Sequence, residues 1–346
     1  MIRLVQVVAV LLLCAGAGLA NGESWCVAVW YPSSEHPGGA DTVMSNLDVI
    51  DVVHPFWYTP DTSGRILSQA GSRAAEQVQA WRDGGALVIP SVFSTLHGYL
   101  EEPLVSAHIR ELLELAEAHD YDGLDLDYEM FPYSTFDSFA SFVERLADGL
   151  HAQGRLLVVT VHAKVAAVTP FESANAQDWP RLAAAADVFN LMTYDWTNRN
   201  EPPGPVASIA WVDEVLDYAV TTTDPGKLRV GLPFYGYSWT RNRPPAVAFT
   251  WEAASRMVTQ FNLEPEREPD SFELSINLNV TGLPSQQVFM SDAATTAARL
   301  AAIDARGTGH AGGVAIWGLG GEDPGHWDAL AAHRPAPCLL ERPSPR

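Results

Sequence analysis

The sequence predicts an α/β chain closed into a (β/α)8 barrel, with a small α+β insertion between the seventh strand and the seventh helix. Three observations lead there. Short apolar runs recur at 26–31, 52–58, 86–93, 123–129, 156–161, 188–194, 228–234 and 313–317. Between them lie segments in which apolar residues return every three to four positions, clearest at 106–119, 134–153, 209–222, 293–306 and 328–333. The runs are too uniformly apolar for one face to meet water, which is the pattern of parallel strands covered by helices. Eight strand–helix units complete one turn of a closed barrel of the TIM type. An open doubly wound sheet would call for a glycine-rich turn after its first strand, and Trp30-Tyr31-Pro32-Ser33-Ser34 is not one.

Residues 1–20 read as a secretory leader. Arg3 supplies the positive start, 4–13 the apolar stretch and Gly18-Leu19-Ala20 the small-residue exit. A membrane span would need about 20 apolar residues, and the small, flexible residues at 15–18 do not extend the run that far. The expected mature chain, 21–346, is a single barrel that is secreted or held in the cell envelope or periplasm, off the membrane once the leader is cut. Two cysteines then remain, Cys26 and Cys338. On a barrel the first opens the first strand and the second follows the last helix, so both fall at the bottom. An oxidising compartment allows them to pair; two buried free thiols are the alternative. The net charge of −21, with 42 acidic residues against 21 Lys and Arg, argues against nucleic acid or an anionic membrane surface as partner. A monomer is the default expectation.

The seventh and eighth runs are separated by 235–312, far more than one helix needs. Within that stretch lie a helix-like piece at 251–261, a polar segment at 264–270, and strand-like runs at 272–278 and 287–290 around Thr281-Gly282. The alternation of Phe272, Leu274, Ile276 and Leu278 argues for an ordered insertion, at about 244–290, over a loose loop. Asn279-Val280-Thr281 fits an N-glycosylation acceptor.

The fourth run carries Tyr121-Asp122-Gly123-Leu124-Asp125-Leu126-Asp127-Tyr128-Glu129-Met130. On a strand, Asp125, Asp127 and Glu129 share one face, and Leu124, Leu126 and Tyr128 the other. Neighbouring acids on that face stand roughly 6–7 Å apart along the backbone. Like charges that close, kept from water, force at least one carboxyl to keep its proton. A carboxylic acid near neutral pH is what protonation of a glycosidic oxygen requires. A solvated acidic strand does not fit the apolar flanks, and a calcium loop would carry Asn and Gly among the acids where only Gly123 is present.

Barrel sites form at the C-terminal ends of the strands. Those ends carry Tyr31, Trp57, Tyr58, Phe93, Glu129, His162, Tyr194, Asp195, Trp196, Tyr235, Tyr237, Trp239 and Trp317. A phosphate site would want Gly, Lys or Arg there, and a transition-metal site several His. Aromatic faces stack on the C–H faces of sugar rings while carboxylates bind hydroxyls, so the rim reads as built for carbohydrate. His54 and His162 read as structural.

The 122–129 segment resembles the D-x-x-D-x-D-x-E signature of family 18 glycoside hydrolases, the chitinase family. Leu191-Met192-Thr193-Tyr194-Asp195 resembles that family's M-x-Y-D on the sixth strand, Gly231-Leu232-Pro233-Phe234-Tyr235-Gly236 its seventh-strand segment, and Trp317 its eighth-strand tryptophan. The likeness runs through the whole mature chain. Tyr237, Gln287-Val288-Phe289 and Gly320-Gly321-Glu322-Asp323-Pro324 are similar to a bacterial branch that includes spore-cortex and other peptidoglycan-directed N-acetylglucosaminidases. Chitinases usually have arginine where Tyr237 stands, and Pro90-Ser91-Val92-Phe93-Ser94 replaces their S-x-G-G.

The resemblance implies retaining hydrolysis of β-linked N-acetylglucosamine glycans, in which the substrate's own 2-acetamido oxygen attacks C1. Glu129 then protonates the leaving oxygen and later activates water. Asp127 orients and stabilises the acetamido nitrogen, Asp125 tunes Asp127, and Tyr194 hydrogen-bonds the acetamido carbonyl. Asp195 holds sugar hydroxyls and Trp317 floors the pocket, with Met192, Tyr31, Trp57 and Tyr235 as further substrate contacts. No cofactor or metal is implied. Cell-wall peptidoglycan is the favoured substrate and chitin oligomers the alternative. A non-catalytic sugar-binding barrel is the alternative of another kind, but such members usually lose the terminal acid, which is kept here as Glu129.

Overall fold

The computed structural model describes residues 24–32, 38–305 and 312–343, so the leader expected at 1–20 lies outside the described residues. Its barrel strands are β1 (Cys26–Pro32), β2 (Val52–Pro60), β3 (Ser91–Ser94), β4 (Gly123–Tyr128), β5 (Leu156–His162), β6 (Val188–Met192), β7 (Leu228–Pro233) and β8 (Gly313–Trp317). Each runs parallel to the next, and β8 and β2 both pair with β1, which closes the barrel. The third apolar run is broken in two. Pro90 has no N–H to give the ladder, so Leu87–Val88 bridges to Val52 and Val53, β3 resumes in the same register with Ser91 opposite Phe56, and the register shifts only between Ser91 and Val92.

Side-chain parity divides the barrel into two apolar layers. Val27, Val29, Leu124, Leu126, Tyr128, Val159 and Val161 point outward into the core under the helices. Ala28, Trp30, Val52, Leu156, Val158, Val188 and Ala315 point inward and fill the barrel. The helix Phe136–Ala152 turns Phe139, Phe142, Val143, Leu146 and Leu150 onto the strands, as a 3.6-residue period dictates. Truncating a fully buried leucine such as Leu146 to alanine costs about 2–5 kcal/mol.

The bottom of the barrel is stapled shut. Cys26 and Cys338 are joined by a disulfide with Cα atoms 4.6 Å apart. The chain after the last helix, Gly325–His333, runs across the bottom. There Arg334 donates to Asp51 at 2.5 Å, Arg342 donates to Asp122 at 2.5 Å and to Asp120 at 3.0 Å, and Leu340 packs on the interior cluster. Asp122, the first acid of the fourth-strand motif, also accepts from the Val88 N–H at 2.7 Å, which makes it a structural group.

The insertion is a second, fully antiparallel sheet in the order Val247–Phe249, Gly236–Thr240, Gln286–Met290, Leu274–Leu278, Glu266–Arg267. Helix Trp251–Phe261 packs on it through Ala254 and Met257. The sheet starts at Gly236, because the chain leaving β7 passes straight into one of its inner strands. Arg299 donates to Glu273 at 2.5 Å, and Glu273 in turn accepts from the Val206 and Ala207 N–H groups at 2.9 and 3.0 Å. This fully buried pair ties the insertion to the loop after β6 and to helix Ala293–Ala305. Among the described residues no helix is long and apolar enough to cross a membrane.

Candidate active site

The three acids along β4 and just past its end meet three different environments. Asp125 is fully buried and fully partnered. It accepts from Trp30 Nε1 at 2.9 Å and Ser91 Oγ at 2.5 Å on one oxygen, and from Thr160 Oγ1 at 2.7 Å on the other. Three donors, one from β1 across the barrel and one each from the adjacent β3 and β5, lock this carboxyl in place. Asp127, one step up the same face, is 5 % exposed, and its Oδ1 has no hydrogen-bond partner. Burial pushes its pKa well above the usual carboxylate range, and the charges of Glu129 and Asp125 push it further. A buried oxygen without a donor costs about 1–3 kcal/mol, and a docking N–H would relieve that cost.

Glu129 follows the end of β4. Burial, then the charge of Asp195, raises its pKa from 4.5 to about 7. Its Oε2 lies 3.5 Å from His162 Nε2, on an imidazole that burial depresses to about 4 and so keeps neutral.

Across the barrel mouth, Tyr194 leaves the end of β6 and Asp195 turns the backbone with φ 57°. A non-glycine residue there is strained, and such strain gathers at functional sites. Tyr194 stands edge-on to Trp30 at 6.5 Å and to Tyr235 at 6.4 Å. A Cβ at position 231 would come 2.9 Å from the Tyr194 ring and 2.4 Å from the Leu191 carbonyl oxygen, so glycine in β7 is what lets the ring sit down. Burial and the surrounding acids hold the phenol far above its usual pKa, which keeps it an O–H donor. Asp195 accepts from Tyr235 at 2.5 Å and Tyr237 at 2.9 Å. Asp195 stays exposed at the mouth; partial desolvation raises its pKa and the two phenols pull it back down. Trp317, half-buried at the end of β8, lies 5.5 Å from Phe56 and 6.2 Å from Trp30. Met192 is half-buried on the inward parity of β6.

The structure thus brings Asp125, Asp127, Glu129, Tyr194, Asp195, Tyr235 and Trp317 to one mouth. It does not bring Tyr31 or Trp57 there. Both belong to the outer core, packed on Trp81 at 5.1 and 5.8 Å, and Tyr31 OH accepts from Gln77. Each is one residue out of phase with the inward position on its strand. The inward residues are Trp30 and Phe56, and the parity of the strand could have found them. Ser91 and Thr160 were missed as well, since a small hydroxyl in an apolar run carries no pattern of its own. Among the described residues the one His, Cys, Asp and Glu group close enough to share an ion is Cys26, Asp51 and Cys338, whose sulfurs are already bonded to each other.

Comparison with known proteins agrees with this geometry. A glycosylase named as sporulation-specific, YdhD of Bacillus subtilis (strain 168), is 29 % identical over 150 residues, 42 % of this chain and 35 % of YdhD. A cortical fragment-lytic enzyme of Bacillus anthracis is 23 % identical over 226 residues, 64 % of this chain and 52 % of that protein. The chain therefore spans about a third to a half of the length of these two relatives. A chitinase from Chromobacterium violaceum ATCC 12472 shares the fold with a TM-score of 0.80 at 22 % identity, over 90 % of this chain and 99 % of that one. Residues 100–322, which hold β4 to β8 and the whole acid cluster, match the model of glycosyl hydrolases family 18, and the chain belongs to that family.

Proposed function

We propose that the chain is a retaining glycoside hydrolase that cleaves β-linked N-acetylglucosamine glycans with the substrate's 2-acetamido group as nucleophile. The observation that carries this reading is the pairing of a carboxyl raised to about 7, Glu129, with a buried, unpartnered carboxylate oxygen on Asp127 two residues before it. Glu129 gives its proton to the leaving oxygen. Asp127 accepts the acetamido N–H and stabilises the positive charge that grows there as the acetamido oxygen closes on C1. Tyr194 donates to that oxygen and holds it in line. Asp125, fixed by Trp30, Ser91 and Thr160, keeps Asp127 in register and adds to its reluctance to ionise alone. Glu129, now a carboxylate, takes a proton from water as that water opens the cyclic intermediate, which restores the acid. Asp195 holds sugar hydroxyls and Trp317 stacks under the ring.

The glycan is cell-wall peptidoglycan or a related polymer, in keeping with relatives named for sporulation and cortex lysis. The protein works as a monomer outside the cytoplasm, secreted or in the envelope. The test is reducing-end release, with mass spectrometry of the products, from purified peptidoglycan and from chitin oligomers, by the wild type and by Glu129→Gln. The wild type should cleave peptidoglycan, and the variant should bind but turn over about 10²–10⁴-fold more slowly. Preferential cleavage of chitin oligomers would move the substrate to chitin. Binding with no cleavage of either would replace the enzyme with a sugar-binding barrel.

A further inference from the structure

Sequence reading leaves His162 as a structural residue, yet it reaches the end of β5 on the inward parity of Thr160, beside the acid. Its Nε2 is buried, lacks any hydrogen-bond partner and lies 3.5 Å from Glu129 Oε2. An unpartnered buried donor is costly, and this one faces the atom whose charge changes during turnover. We propose that His162 is a positioning residue for Glu129, its Nε2–H donating to the Glu129 carboxylate as that group gives up its proton. The proposal rests on the reading of Glu129 as the acid.

The surroundings hold the imidazole for that task. Its ring stands edge-on to Phe171 at 4.8 Å, and its backbone N–H donates to Gln177 Oε1 at 2.9 Å. Gln177 Nε2 donates in turn to the Tyr128 carbonyl at 3.3 Å, next to Glu129. Lys164 donates to the Gln177 carbonyl at 2.7 Å and lies over the Trp179 ring. One glutamine therefore couples the ends of β4 and β5 and fixes the spacing of acid and imidazole.

Asp195 beyond β6 acts the opposite way and raises the Glu129 pKa. Asp127, whose own pKa Glu129 and Asp125 push up, lies on the same face of β4, and Tyr194 remains a neutral phenol. From β5 the neutral His162 approaches it. A neutral imidazole with its proton on Nε2 donates there without adding a competing cation. While Glu129 is protonated the 3.5 Å gap stays loose. When the proton passes to the leaving oxygen, charge grows on Oε2 and a donor that needs no rearrangement meets it. The imidazole keeps its own proton throughout.

The test is the pH dependence of kcat on an N-acetylglucosamine oligomer, for the wild type, His162→Ala and His162→Gln. In parallel, carbon-13 NMR follows the Glu129 carboxyl titration in the same proteins. Loss of the donor should move the alkaline limb and the NMR midpoint up by about half to one pH unit and lower the plateau kcat about tenfold. Glutamine, whose amide N–H reaches the same place, should bring limb and midpoint back. A packing role alone would lower kcat equally at every pH and leave both midpoints where they were. That result would overturn the proposal, as would a folded glutamine variant that restores neither. A midpoint that moves between the wild type and His162→Ala, when the wild type cleaves nothing, would sink the proposed function and leave the contact standing.

Discussion

Replacing Asp195 with asparagine tests the electrostatics of the site from the opposite wall. The pKa of Glu129 rises from 4.5 to about 7, with burial the larger cause and the Asp195 charge the other. Asp195 therefore supplies less than half of that rise, about one pH unit at most. Asparagine keeps the shape, and its carbonyl oxygen can still accept from Tyr235 and Tyr237. A general acid works while protonated, so activity holds below its pKa and falls as pH rises through it. Removing a like charge lowers that pKa, and the alkaline limb should slide from about 7 toward about 6. At pH 8 the fraction of active acid then drops about tenfold, on top of any loss from weaker hydroxyl contacts, which would lower the rate equally at every pH. The assay is the initial rate of reducing-end release across pH 4 to 9. A limb that stays put or moves upward would refute the assignment of Asp195 as the charge that holds Glu129 protonated. The same limb moves the other way when His162 is removed, so the two variants bracket the acid from both sides.

Tyr194→Phe removes the donor expected at the acetamido oxygen, and kcat should fall about 10²–10³-fold with KM nearly unchanged in steady-state kinetics. Arg299→Met leaves the Glu273 carboxylate buried without its partner, a cost of about 3–5 kcal/mol. Calorimetry should show the melting temperature lower by roughly 4–7 °C. Serine at both Cys26 and Cys338 opens a loop of sequence separation 312. In the chain-entropy model the loss reaches on the order of 5 kcal/mol, read as a lower denaturation midpoint. Two reactive thiols in the denatured, unreduced wild type would contradict the bond.

Much of this molecule is legible in its residues because the barrel imposes two simple periods. Apolar runs such as 156–161 and helical stripes such as Phe139, Phe142, Val143 and Leu146 have one way to bury themselves, and their alternation fixes the order of the elements. The acids of β4 are legible for the same reason, since polar residues at every second position of a buried strand need a common purpose. The errors come from ends. Tyr31 and Trp57 close their runs, but nearness to an end does not decide which way a side chain points, and parity sends both to the helices. Gly236–Thr240 reads as a continuation of the seventh run, so the start of the insertion is hidden. Hydrogen bonding leaves still less trace. The grip of Trp30, Ser91 and Thr160 on Asp125 joins residues up to 95 positions apart, and the tail that closes the barrel with Arg334, Leu340 and Arg342 has no period at all.

The proposed chemistry turns on the sugar itself providing the nucleophile. The direct measurement compares wild-type product release from a β-linked N-acetylglucosamine oligomer with release from the same oligomer after complete de-N-acetylation. Cleavage of the first with none detectable of the second is the predicted result. Comparable rates on both would contradict it, because Asp127 and Tyr194 would then be holding a group the reaction does not need.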